Sequence, residues 1–137
     1  MSTKTRFVLL AAFVTLLAGG LLVIRPWLAG AGRTTMTAST ATYTVRLFTD
    51  GPREGANTFD FEITARDGTP AHLDEVTLQP VMPQMGHAYP PVTAARTAPG
   101  RYRAKDTMLA MTGYWRINVT LRRANDAQQA AFTLLAK

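Results

Sequence analysis

Two thioethers and an imidazole fall within six residues in the stretch Val81-Met82-Pro83-Gln84-Met85-Gly86-His87-Ala88. Thioether sulfur is a soft, uncharged donor that favours Cu(I), while imidazole suits copper, zinc, iron and nickel alike, so Met with His narrows the choice towards copper. Pro83 and Gly86 stand between the donors, and such residues bend a backbone so that nearby side chains can converge on one point. The spacing predicts a turn or loop here and no helix. Met108 and Met111 follow beyond the next turn signals, so four of the six Met residues lie in two short segments, the others being Met1 and Met36. The plain alternative is packing, because Met commonly fills irregular cores and soft surfaces. A single His after a glycine is also commonly a hydrogen-bonded loop residue.

Other chemistries find less to work with. There is no Cys, which excludes disulfides, thiolate metal sites and Cys nucleophiles. An enzyme needs a nucleophile with a base, paired carboxylates, or an open metal site with an acid or base beside it. The two His residues and the scattered carboxylates offer none of these, so no catalytic activity is expected. His72, in a turn before a strand, reads as a surface imidazole. Asn118-Val119-Thr120 matches a glycosylation sequon but falls on a regular strand. An oxidising compartment pairs thiols yet leaves thioethers usable as ligands, which suits a copper site outside the cytoplasm.

The chain of 137 residues is sized for one domain. Residues 7–24 form a run without a charge, preceded by Lys4 and Arg6 and closed by Arg25 and Pro26. Its length reaches that of a membrane span and exceeds a usual signal-peptide apolar region. The favoured reading is an uncleaved single-pass anchor over residues 1–28, with Trp27 at the interface and the C-terminal domain outside the cytoplasm. The rival is a cleaved export signal, since Ala29-Gly30-Ala31 imitates a small-residue cleavage site. The formal charge of +6 is concentrated at this end: without Lys4, Arg6, Arg25 and Arg33, 11 basic residues face 9 acidic ones. Arg101, Arg103 and Lys105 alternate along a predicted strand as a solvent-facing row with no aromatic-studded groove, so nucleic-acid binding is not expected.

Residues 29–41, rich in Gly, Thr, Ala and Ser without apolar periodicity, read as a flexible tether. The folded domain is expected over 42–137. Tyr43, Val45 and Leu47 alternate with polar residues, as do Phe59, Phe61 and Ile63, then Val76 and Leu78, each set with the period of a half-buried strand. Asp67-Gly68-Thr69-Pro70 is a turn, and Pro80 and Pro83 are expected to end pairing of the strand before the Met-His stretch. Residues 92–97 and 101–105 read as a hairpin about Pro99-Gly100, with Tyr102 and Ala104 inward. The longest alternation sets Trp115, Ile117, Val119 and Leu121 against Arg116, Asn118, Thr120 and Arg122, and marks Trp115 as a core anchor separate from the site. A turn near Asn125 returns the chain into residues 129–135. About seven short strands with regular turn signals predict an all-β, immunoglobulin-like sandwich, with a barrel as the alternative.

Three segments together, Met82-Pro83-Gln84-Met85-Gly86-His87, Pro99-Gly100-Arg101-Tyr102 and Met111-Thr112-Gly113-Tyr114-Trp115-Arg116-Ile117, resemble the YtkA-like family of small exported or membrane-anchored bacterial domains, akin to FixH-type proteins. The resemblance covers residues 42–137. It implies an immunoglobulin-like sandwich in the cell envelope that handles copper, with Met82, Met85, His87 and Met111 as matching positions and Met108 as an extra. The function expected is an anchored module that binds Cu(I) and passes it to a protein partner, with no small-molecule substrate. The alternative is a metal-free domain that docks on a membrane complex through its Met-rich edge.

Overall fold

The computed structural model describes residues 32–137. The span expected over residues 7–24 lies outside them; among the described residues no helix is long and apolar enough to cross a membrane. Ten strands follow in order: β1 (Arg33–Ser39), β2 (Tyr43–Asp50), β3 (Gly55–Ala65), β4 (Glu75–Met82), β5 (His87–Ala88), β6 (Val92–Thr93), β7 (Ala95–Ala98), β8 (Arg101–Leu109), β9 (Gly113–Arg123) and β10 (Asp126–Ala136), with one 3-10 turn at Pro83–Met85 between β4 and β5. They form two antiparallel sheets. Sheet A has the order β1-β2-β3-β8-β7, and sheet B the order β10-β9-β4-β5 with β6 also paired to β4. The sheets have free edges, so the arrangement is layered and not a closed barrel.

The alternation in the sequence becomes the inner faces of both layers. Val45 and Leu47 of β2, with Phe59 and Ile63 of β3, are fully buried from one sheet, and Leu78, Trp115, Ile117 and Val119 from the other. Opposite faces of these strands are wet because side chains alternate along a strand. The basic row of β8 is exposed as expected, yet two of its members are engaged: Arg103 reaches Asp60 at 2.6 and 3.2 Å, and Glu62 is shared by Arg46 and Arg101 at 3.3 Å each. The hydrogen bond and charge of Asp60 raise the pKa of Arg103 further above its ordinary value.

Three expectations change. The tether expected over 29–41 is ordered from Arg33 to Ser39, where β1 borders β2 as an edge strand. Its turn is tied down by Thr40 and Gln128, whose Oγ1 and Oε1 lie 2.6 Å apart. Pro80 does not end β4. It pairs in register with Ile117, and its carbonyl accepts the Tyr89 N–H at 2.9 Å, so its polar groups face β5 and no bond to β9 is lost. The expected strand 92–97 divides at buried Ala94, giving β6 to sheet B and β7 to sheet A.

The turn into β8 depends on Gly100. Its φ of +68° is left-handed, and a Cβ there would lie 2.8 Å from the Ile63 carbonyl oxygen and 2.9 Å from Pro70. The close approach is used, since the Gly100 carbonyl accepts the Ile63 N–H at 2.8 Å. Only glycine satisfies both conditions.

Candidate metal site

At the end of β4 the chain leaves the sheet through Pro83, which suits the first position of a helical turn because its missing N–H would have no partner there. The turn lasts three residues and closes at Gly86, whose φ is +65° and whose N–H donates to the Pro83 carbonyl at 3.3 Å. This single 3-10 turn stands where a loop was expected. It returns the chain antiparallel to β4, pairing Met82 with His87 and Val81 with Ala88.

That register decides how the donors are presented. Directly paired residues project to the same face with Cβ atoms about 5 Å apart, so Met82 and His87 share a face. They differ in depth. Met82 is 3 % exposed and belongs to the core, whereas His87 is exposed at the sheet edge. Met85, at the outer end of the turn, is 54 % exposed.

The second methionine segment reaches the same end of the fold. Gly113, which opens β9, has a φ of +126°, and a Cβ on it would lie 3.5 Å from the Met82 Cε and 4.0 Å from the Gln84 Oε1. Met111, two residues earlier, is 40 % exposed. Its backbone is held by the Trp115 indole N–H, which donates to the Met111 carbonyl at 3.0 Å. The Tyr89 ring sits 5.4 Å from the Trp115 ring, tilted by 55°. Trp115 is fully buried, as expected of a core anchor, but its polar edge also fixes the loop that carries Met111. A buried indole N–H generally finds an acceptor. That rule, with the four-residue spacing from Met111, was the signal available in the sequence.

The structure thus places Met82, Met85 and His87 about one turn, and brings beside it Gly113, two residues after Met111. Met108 stands on the outer face of β8, one residue before its end, 51 % exposed and opposite Ala56 of β3. Buried Leu109 separates it in sequence from the Met111 loop. Among the described residues no group of three or more His, Cys, Asp or Glu could hold a metal ion.

The YtkA-like family model matches residues 37–120. The chain belongs to the YtkA-like family. The matched stretch runs from within β1 into β9 and includes both methionine segments, while β10 lies beyond it. No curated protein and no solved structure matches the chain.

Proposed function

We propose that this YtkA-like chain is an immunoglobulin-like module, anchored through residues 7–24 on the extracytoplasmic side of a membrane, that binds Cu(I) and hands it to a protein partner. The fold assignment is supported by strand order. With β2, β3, β4, β7, β8, β9 and β10 as strands A to G, sheet A carries A-B-E-D and sheet B carries G-F-C, the constant-type immunoglobulin arrangement. The observation that carries the copper reading is that two exposed thioethers, Met85 and Met111, and the exposed His87 stand on two segments that adjoin where Gly113 approaches Met82 and Gln84. The donors are uncharged or become so on losing one proton, and none is committed to an ion pair. Open coordination suits transfer. Met82, behind them, is a structural residue on the same face. Catalysis is not proposed, since Asp60 and Glu62 are bound to arginines.

A second reading has its own support. Met85, Met111, Tyr114 and Leu135 are all large, apolar and at least 40 % exposed, and Tyr114 is paired with Leu135 across β9 and β10. They give that region a soft apolar character suited to docking a membrane complex without metal. An anaerobic Cu(I) titration of the full chain against a competing chelator separates the readings. Copper binding predicts one bound ion and a loss of more than about tenfold in affinity for Met85→Leu with Met111→Leu, equivalent to about 1.4 kcal/mol. Unchanged affinity in the double variant would move the site elsewhere. No binding at all would favour docking.

A further inference from the structure

The registers set which strand ends lie together. Gly55 of β3 pairs with Leu109 of β8, Gly113 of β9 with Ala136 of β10, and Val81 of β4 with Arg116 of β9. Residues 110–112 join β8 to β9 across the sheets, and Lys137 is bonded to Pro52 and Glu54 ahead of β3. The starts of β3 and β9 and the ends of β4, β8 and β10 therefore share one end of the domain. β1 begins there too: residues 40–42 turn it back into β2, whose Tyr43 pairs with Ala65 at the far end of β3. Met85, Met108, Met111, Tyr114 and Leu135 are the large apolar residues exposed among the described residues. Every one of them stands one residue from these strand ends or in a connection beyond them. The opposite end carries Arg66, Asp67, Asp74, Arg123 and Asp126 instead. Exposed apolar residues scattered singly need no explanation, whereas gathered ones mark an interaction site.

Two observations select the occupant. The five residues do not share a face: Met108 is outward on sheet A, Tyr114 and Leu135 are outward on sheet B, and Met85 and Met111 lie in connections. A protein partner buries one complementary patch, but a fluid lipid interface accepts apolar side chains from all around an end. The other observation is where the chain arrives. A span closing at Arg25 leaves seven residues before Arg33 opens β1, a reach of at most about 28 Å. β9 and β10, of 11 residues each, are about 37 Å long, so the tether is shorter than the domain and enters at its apolar end. Charge contributes little there, since Arg33, Arg53, Arg116 and Lys137 stand against Asp50, Glu54 and Asp106.

We propose, on the basis of the anchor read over residues 7–24, that this end of the domain rests on the lipid bilayer. Met85, Met108, Met111, Tyr114 and Leu135 lie in the interfacial layer and the charged end stays in water. Tyrosine suits that depth, because its ring is apolar and its hydroxyl reaches the headgroups. The proposed copper donors Met85, His87 and Met111 then open onto the headgroup layer, and the ion is exchanged at the membrane surface.

The test uses the full chain in phosphatidylcholine vesicles, with a bimane on a single introduced cysteine, since the protein has none of its own. Ala110→Cys puts the label in the exposed loop between Met108 and Met111, and His72→Cys puts it at the opposite end. Lipids carrying a nitroxide near the headgroup are expected to quench the residue-110 label several-fold more than the residue-72 label, with no loss in high salt. Tyr114→Ser with Leu135→Ser should lower that quenching and leave Cu(I) affinity and far-ultraviolet circular dichroism unchanged, since neither residue is a proposed donor and both face outward. Equal quenching at the two positions would overturn the proposal. So would a residue-110 label shielded from aqueous iodide yet untouched by the lipid nitroxide, which would mean a protein cover. A chain that an alkaline wash strips from the vesicles would overturn the anchor and this proposal together, whereas equal quenching in a retained chain overturns the docking alone.

Discussion

The inward face of sheet B and the rim that follows it differ in what fixes each side chain, and Met82 and Met85 sample the two. Met82 is held in the core of packed β4 and β9, against Gly113. Met85, three residues on, projects from a turn that buries none of its own residues. One sequence signal, a methionine near a proline, thus serves packing in one place and display in the other. What separates them is the strand register, which alternates depth along β4 until the turn ends it.

The contrast can be broken most directly at Trp115. Trp115→Ala removes a fully buried indole and should cost about 3–5 kcal/mol in chemical denaturation, within the range for large-to-small core changes. It should also loosen the Met111 loop, seen as faster amide exchange around residues 110–113. A loss below about 1 kcal/mol would mean that the inner face is not the packed region described. Met82→Ala should follow at about 2–4 kcal/mol, again from lost core volume. Gly100→Ala should cost about 1–3 kcal/mol, because it adds left-handed strain and a clash with the Ile63 carbonyl; free tolerance would disprove the close approach.

Met85→Ala is the rim counterpart. It should alter stability by less than about 0.5 kcal/mol, as exposed substitutions do, while weakening Cu(I) binding. Equal stability losses at Met82 and Met85 would erase the distinction. His87→Ala should leave weaker binding that falls off less in acid, because protons compete with metal for imidazole but not for thioether. The smallest effect is expected far from the rim, at the β3–β4 turn. There Thr69 donates its side-chain and backbone hydrogen bonds to Asp67 and holds that carboxyl below its ordinary pKa. A depressed acid stabilises the fold above the ordinary carboxylate range and loses that contribution as pH falls through the lowered value. Thr69→Val should raise the Asp67 pKa in a carboxyl NMR titration and flatten this acid dependence slightly.

The inner faces were legible because alternation reports burial directly: Tyr43 with Val45 and Leu47, or Trp115 with Ile117 and Val119, needs no knowledge of neighbours. Tyr102 and Ala104 were readable in the same way. β1 was not, since Arg33–Ser39 is small and hydroxylated and gains its order from pairing with β2, which is a long-range property. Pro80 misled because a proline breaks pairing only on the side its nitrogen faces, and the sequence does not say which side that is. At the candidate site, the nearness of Met82, Met85 and His87 came from adjacency in the chain. Met111 was brought in by the resemblance, and its attachment through Trp115 needed coordinates. Met108 could not be told from Met111 by residue type, since what divides them is one inward-facing Leu109.

The bonds that Lys137 makes to Pro52 and Glu54 bear on when this domain can form. They close a loop of more than eighty residues, and β3 likewise waits for β8, some forty residues downstream, before its second neighbour exists. Chains dominated by such distant pairings fold in milliseconds to seconds, well behind helical proteins of equal size. A polypeptide emerging from its N-terminus therefore holds β3 without β8 and β4 without β9 until residues 101–123 have arrived. The interval before closure is when the domain is most exposed to aggregation.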